Sequence, residues 1–343
     1  MPAGFSTPIP NNSNNAKFTS QLSQLLANEN LHGNFLFSPV SLEILFFMVQ
    51  HGAPENTSTN QQIWTNIFNC ENCNRNLVDR YFDSLFQAPQ LYMTEDATLK
   101  YATVLAMNER FPVSDQFEAK MLGGLANATL FQENFAKNGD QAAHEINNIV
   151  AQTTENKINN LISGESLDDK TAMVLVNALY LKADFKECFT YIYDDKFYDS
   201  NNQEYYTKFL DGSFEDLSYH KSVDLSMIKL PFLEENFSLY IAMRNENGAS
   251  IDLGDVVRQT LAKEIAFKDK YVNVKIPKFT MEYTAEDMVQ HIQMLNVTNM
   301  FNESIAEFNY LLKDLEQKVA VSDIRHKAFI ETSSPHEPNT SST

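Results

Sequence analysis

The sequence is poor in cysteine and holds none of the common catalytic motifs. Its 343 residues include three cysteines, Cys70, Cys73 and Cys188, and the close pair lacks the second pair that a zinc site needs. There is no G-x-S-x-G elbow, phosphate-binding loop, dinucleotide fingerprint or H-E-x-x-H motif, since His144-Glu145 has no second histidine three residues after the glutamate. The sequence therefore predicts a protein that is not an enzyme and that uses no metal or cofactor. A hydrolase is kept as the alternative interpretation.

Clusters of basic residues and long apolar runs are also absent. The chain has 26 Lys and Arg against 45 Asp and Glu, a net charge of −19, and the basic residues are scattered. Nucleic acid, heparin-like polymers and anionic membrane surfaces are therefore excluded as partners. The best apolar run, 42–49, is interrupted by Glu43 and is far shorter than the roughly 18 residues that span a bilayer.

The compartment is not decided by the N-terminus, which has neither a basic region nor an apolar region typical of a signal peptide. Seven N-x-S/T sequons occur, although about four or five would arise by chance in so Asn-rich a chain. We take four of them as glycosylation candidates: Asn56, Asn127, Asn236 and Asn296. They favour an extracellular glycoprotein, and a cytoplasmic protein stays open as the alternative.

The pattern of helices and strands predicts one α+β domain. Residues 15–28 and 284–294 have helical spacing, and Asp140 is predicted to cap a third helix. Residues 172–181 are almost continuously apolar, as in a strand that is covered on both faces. Strands and helices do not alternate regularly, which favours large, mostly antiparallel sheets.

The chain lacks an internal linker, and its low-complexity stretches lie at the two ends. We therefore expect a disordered segment at 1–14, a single domain at 15–331 and a polar tail at 332–343.

A few polar residues stand in apolar surroundings. Ser38 is placed to cap a helix with Pro39 in its first turn, and Ser41 lies one turn further on. Asn177 lies in the middle of the apolar strand, and His326 lies on the small-residue face of another. A solvated serine and independently satisfied core polar groups are the alternative interpretations, since a buried amide without partners costs about 1–3 kcal/mol.

Motifs along 15–331 point to one family when their order and spacing are taken together. They are 37–41 (FSPVS), Gly52-Ala53 with Thr57, Ile146-Asn147 with Val150, Lys157-Ile158, 177–182 (NALYLK), 276–279 (IPKF) with Glu282, Leu295 with Phe301, Val321-Ser322, and 326–331 (HKAFIE). With these motifs the chain resembles the serpins. Some family positions differ: Glu55, Asn156 and Asn296 stand where glycine is expected, and Ile149 and Phe185 stand where tryptophan is expected.

The resemblance implies a metastable fold around a five-stranded sheet with an exposed reactive loop at 332–343. In inhibitory members a serine protease cuts the loop and is trapped as an acyl-enzyme, and the loop enters the sheet as a new central strand. The family keeps a polar cluster where the sheet parts, here called the shutter, and four residues match it: Ser38, Ser41, Asn177 and His326.

The hinge of the loop departs from the family pattern. The resemblance assigns it Glu331, Ser334, Pro335, His336, Glu337 and Pro338. The usual glycine falls on His336 and the next small residue on Glu337, while the flanking prolines cannot donate a ladder hydrogen bond. We therefore expect inhibition to be weak or lost. The alternative is a working suicide-substrate inhibitor of a serine protease whose identity the sequence does not give.

The sequence ends inside the loop, so the scissile residue and the family's C-terminal strand pair are not shown. The expected partners are a serine protease, if the protein inhibits, and its own C-terminal fragment, if the remaining peptide is held after loop cleavage.

Overall fold

The computed structural model describes most of the domain. The described residues are 13–31, 33–70, 75–76, 78–82, 97–124, 128–186, 189–199, 201–234, 237–245 and 251–333. Several predicted site residues lie outside these ranges: Asn127, Asn236, Ser334, Pro335, His336, Glu337 and Pro338.

Helices occur throughout the described residues. They are α1 (Ser13–Glu29), α2 (Pro39–Gln50), α3 (Ser58–Asn66), α4 (Asp115–Gly124), α5 (Phe135–Thr153), α6 (Leu253–Leu261) and α7 (Met288–Met294). As predicted, Ser38 caps α2: its side chain accepts a hydrogen bond from the Ser41 N–H, and Pro39 occupies the first turn.

The strands are β1 (Ala97–Asn108), β2 (Ala128–Glu133), β3 (Met173–Asp184), β4 (Tyr191–Tyr198), β5 (Glu204–Lys221), β6 (Leu225–Pro231), β7 (Ser238–Arg244), β8 (Lys268–Pro277), β9 (Thr280–Ala285) and β10 (Val321–Ser333). The first sheet has the order β2-β1-β3-β10-β9. The second has the order β4-β5-β6-β7, with β8 also paired to β5. The predicted α+β class is confirmed.

Strand β3 lies at the centre of the core, and both of its faces are covered. On one face Leu175 packs in the same apolar cluster as Leu42 and Leu45 of α2. On the other face Val176 packs with Ile146 of α5. Burial on both sides explains why this strand is apolar at almost every position.

Two local predictions are wrong. The cap of α5 is Asn134, whose side chain accepts from the Lys137 N–H at 3.0 Å, whereas Asp140 lies inside the helix just after a kink at Asn138. The helix predicted at 284–294 begins only at Met288, because β9 continues through Ala285, which pairs with β10. In the second case a partner distant along the chain, β10, decides where the helix begins.

The two asparagines that replace family glycines keep the backbone that a glycine would allow. Asn156 and Asn296 have φ angles of 60° and 63°. Among residues with a Cβ atom, asparagine enters the left-handed region most easily. These substitutions therefore preserve the turns after α5 and α7.

Among the described helices, none combines the length and the apolar character needed to cross a lipid bilayer. Within the same ranges, the His, Cys, Asp and Glu side chains form no group of three that could hold a metal ion. Cys70 is disulfide-bonded, and both other cysteines lie outside the described residues.

Asn147 of α5 holds the chain that follows this helix. Its Oδ1 accepts from the N–H groups of Leu161 and Ile162 at 2.8 and 3.0 Å, and its Nδ2 donates to the Ile162 carbonyl at 2.8 Å. We expect Asn147→Ala to lower the free energy of unfolding by about 2–4 kcal/mol, because it leaves backbone donors unpaired. Urea denaturation measures this change. The matched control is Asn148→Ala, which removes an exposed side chain and should cost less than about 0.5 kcal/mol; equal losses for the two variants would contradict the assignment.

Candidate functional site

The first sheet contains a parallel joint between β3 and β10, here called the seam. The two strands pair along their whole lengths, from Met173 opposite Val321 to Asp184 opposite Ser333. This is the place where the resemblance implies that a loop strand enters. The side chains that cross the seam therefore form the candidate site.

Hydrogen bonds link the four predicted shutter residues across one face of the seam. The Asn177 Oδ1 accepts from His326 Nδ1 at 2.9 Å and from the Ser41 hydroxyl at 2.7 Å. The Asn177 Nδ2 donates to the Ser41 carbonyl at 3.0 Å. Asn177, Ser41 and His326 are fully buried. The structure thus brings β3, β10 and α2 together at one amide.

The protonation state of His326 follows from its partners. The Ser38 N–H lies 3.0 Å from Nε2, and a backbone N–H can only donate. Nε2 is therefore the acceptor, and Nδ1 carries the proton that is given to Asn177. Burial lowers the pKa of His326 to about 3, so the ring is neutral at physiological pH.

A second set of contacts crosses the opposite face of the seam. The Lys157 ammonium, after the end of α5, lies 2.8 Å from the Glu331 carboxylate of β10. The same ammonium lies 5.8 and 5.6 Å from the ring centres of Tyr180 and Phe329, which pair across the seam. Lys327 also pairs with Glu282 of β9. Sequence reasoning missed the two ion pairs, since their partners lie 174 residues apart for Lys157 and Glu331 and 45 residues apart for Lys327 and Glu282.

Glu331, which the resemblance assigns to the hinge, is part of a strand in the structure. It lies within β10, opposite Lys182 of β3 and Thr280 of β9. The strand continues for two residues past the predicted boundary at 331, because Thr332 pairs with Ala183 and its hydroxyl donates to the Phe279 carbonyl at 3.3 Å. The pairing with β3 therefore extends to Ser333, the last residue of β10.

Glu43 is a further buried ionisable group that sequence reasoning read only as a break in an apolar run. Its side chain lies in α2 with 2% of its surface exposed. Burial raises its pKa to about 8. The signal that could have indicated this is a single acid in a helix segment that is otherwise apolar from 42 to 49.

Two glycosylation candidates are described. Asn56 and Asn296 are both exposed, in turns before α3 and after α7. Their exposure leaves the amide side chains accessible, and whether either carries a glycan stays a prediction.

Comparison with known proteins decides the family. A family model described as Serpin (serine protease inhibitor) matches residues 13–343. The chain belongs to the serpin family. Human Serpin B8 is 26% identical over 329 residues, covering 92% of this chain and 84% of the relative. Human neuroserpin is 24% identical over 314 residues, covering 87% and 73%.

Solved serpin structures share the fold. Native protease nexin-1, crystallised with heparin, superposes with a TM-score of 0.82 at 22% identity and covers 98% of this chain and 92% of its own. Uncleaved ovalbumin has a TM-score of 0.80 at 18% identity and covers 94% and 86%. At these identities the likeness concerns the fold alone. The family description, an inhibitor of serine proteases, agrees with the predicted role outside catalysis.

The shared amide makes the shutter contacts interdependent. We expect Asn177→Ala to lower the free energy of unfolding by about 2–4 kcal/mol, because Ser41 and His326 both lose a buried partner. The double variant Asn177→Ala/His326→Ala should cost less than the sum of the single variants by more than about 0.5 kcal/mol. Chemical denaturation of the four proteins measures the coupling, and strict additivity would show that the two residues act independently.

Two of the buried ionisable groups, His326 and Glu43, give stability an opposed pH dependence. The folded protein does not protonate His326 until about pH 3, whereas the unfolded chain does so near 6.5, so stability falls as the pH drops from 6.5 towards 3. The folded protein keeps the Glu43 proton up to about pH 8, whereas the unfolded chain loses it near 4.5, so stability falls as the pH rises from 4.5 towards 8. The two slopes cancel between 4.5 and 6.5.

Single substitutions separate these slopes. Relative to the native sequence, His326→Gln should remove a loss of about 1.4 kcal/mol per pH unit below pH 4.5, and Glu43→Gln should remove a similar loss above pH 6.5. Unfolding free energies measured from pH 3.5 to 8.5 test both slopes. A parallel pH profile for either variant would mean that its group titrates normally in the folded protein.

Proposed function

We propose that this protein is a serpin-fold protein in which protease inhibition is weak or lost, so that it acts by binding rather than by trapping a protease. The observation that carries the proposal is the length of the seam. Since β3 and β10 pair as far as Asp184 and Ser333, the first residues available for insertion are those of 334–338. Their sequence is Ser-Pro-His-Glu-Pro.

Four of these residues, Pro335, His336, Glu337 and Pro338, oppose entry into a central strand. Pro335 and Pro338 lack the N–H that a ladder needs, and each missing hydrogen bond costs about 0.5–1.5 kcal/mol. Glu337 would bring a carboxylate between two strands whose faces are covered by α2 and by α5, where desolvation costs several kcal/mol unless the group is paired. These penalties fall at the start of insertion, before any later residue can compensate.

The second candidate is a working suicide-substrate inhibitor of a serine protease. The hydrogen bonds among the four shutter residues favour this candidate. They lie at the seam, where a loop strand would enter the sheet. In this candidate the loop inserts into the sheet despite the unusual hinge sequence.

Incubation of the full-length protein with a panel of serine proteases separates the two candidates. We expect loop cleavage without an SDS-stable complex and with little change in melting temperature, because the cleaved loop stays outside the sheet. The matched variant Pro335→Ala/His336→Gly/Glu337→Thr/Pro338→Ala restores donors and small side chains. After cleavage it should show a raised melting temperature.

The native sequence and the hinge variant must be compared with the same protease and the same cleavage site. A covalent complex formed by the native sequence would establish the second candidate instead. A native sequence that gains as much thermal stability on cleavage as the variant would overturn the argument from the hinge.

A further inference from the structure

The outer face of the second sheet carries a row of exposed aromatic rings. In the β4–β5 ladder Tyr193 lies opposite Phe209 and Phe197 opposite Tyr205, and Tyr191 lies on the same face two residues before Tyr193. The exposed fractions are 65% for Tyr191, 37% for Tyr193, 40% for Phe197 and 51% for Tyr205. We call these four residues the aromatic face.

This surface already holds one cation of the chain itself. The Lys275 ammonium, on β8, lies 4.8 Å from the ring centre of Phe209 and 5.3 Å from that of Tyr193. It forms an ion pair with Asp195 of β4, and the Tyr193 hydroxyl donates to Asp211 at 2.7 Å. Aromatic rings and a carboxylate thus stabilise the Lys275 ammonium together, and the same surface favours binding of other positively charged groups.

Among the described strands, the free edge of β4 lies beside the aromatic face. Strand β4 ends the order of the second sheet, and within the described residues it pairs with β5 alone. A segment that adds alongside β4 would place every second side chain on the aromatic face. Guanidinium groups stack on exposed rings more readily than ammonium groups do.

Charge narrows the choice of partner. Residues 191–211 contain five carboxylates against two lysines, and the whole chain carries −19. A basic partner would be attracted over a long range. A second copy of this chain is disfavoured, because two-fold antiparallel pairing of two β4 strands about Asp194 or Asp195 sets that carboxylate opposite its own copy.

We propose that the β4 edge and the aromatic face form a docking site for an extended, arginine-bearing segment of a partner protein. The segment adds to β4 as a further strand, and its alternate arginines lie over Tyr191 and between the Phe197 and Tyr205 rings. This role does not depend on loop insertion or on protease inhibition.

Fluorescence anisotropy with the full-length protein tests the proposal. The probe is a short peptide of alternating arginine and threonine, compared with a lysine–threonine peptide of equal charge. We expect the lysine peptide to bind about fivefold more weakly. The variant Tyr191→Thr/Phe197→Thr should weaken binding of the arginine peptide about tenfold, while threonine keeps the preference for strand. Methylation of the peptide amides that face β4 should abolish binding, because they are the donors of the new ladder.

The control removes two rings from the opposite face of the same strands. Tyr198→Thr/Tyr206→Thr should leave the affinity unchanged, and the melting temperatures of both variants show that each is folded. Equal losses in the two variants, or equal affinity for the two peptides, would reduce the effect to general charge attraction and overturn the proposal. Self-association that requires the aromatic face, or binding to phosphatidylserine vesicles in preference to the peptide, would overturn it as well.

Discussion

One oxygen atom joins three parts of this molecule. The Asn177 Oδ1 has two acceptor positions, and both are filled, by the ring of His326 on β10 and the hydroxyl of Ser41 on α2. In a buried site such bonds are strong, and the loss of one partner leaves the others unpaired. The strands of the seam cannot separate without disturbing the helix beneath them, so sheet and helix behave as one unit.

The two faces of the seam use different physics. The shutter side is neutral throughout, because burial keeps His326 unprotonated and its partners are hydroxyl, amide and backbone groups. The α5 side uses ions, with Lys157 and Glu331 each more than a quarter exposed. Salt therefore screens the second set of contacts and leaves the first largely unaffected. Salt concentration should therefore affect the contacts on one face of the seam and have little effect on those on the other.

Sequence reasoning succeeded at several local signals, although it misplaced the cap of α5, and it failed where partners are distant. The cap at Ser38 and the doubly covered strand β3 follow from a few adjacent residues. The meeting of Asn177 with His326 came from family resemblance, since no periodicity relates positions 149 apart. The partner of Lys157 and the burial of Glu43 had no such guide. The same limit explains the extension of β9, whose last residues are ordered by pairing with β10.

The seam is also a joint of a particular kind. Parallel ladders are slightly weaker per residue than antiparallel ones, and β3 and β10 run parallel for their whole lengths. A segment that entered between these two strands in the reverse direction would run antiparallel to both of them. Such an insertion would replace one parallel ladder by two antiparallel ladders, which are slightly more stable per residue. An insertion between β3 and β1 would bring no such gain, because those strands already pair in antiparallel fashion. Ser41 of α2 and Lys157, which follows α5, therefore add contacts across the weaker of the two ladders that β3 forms.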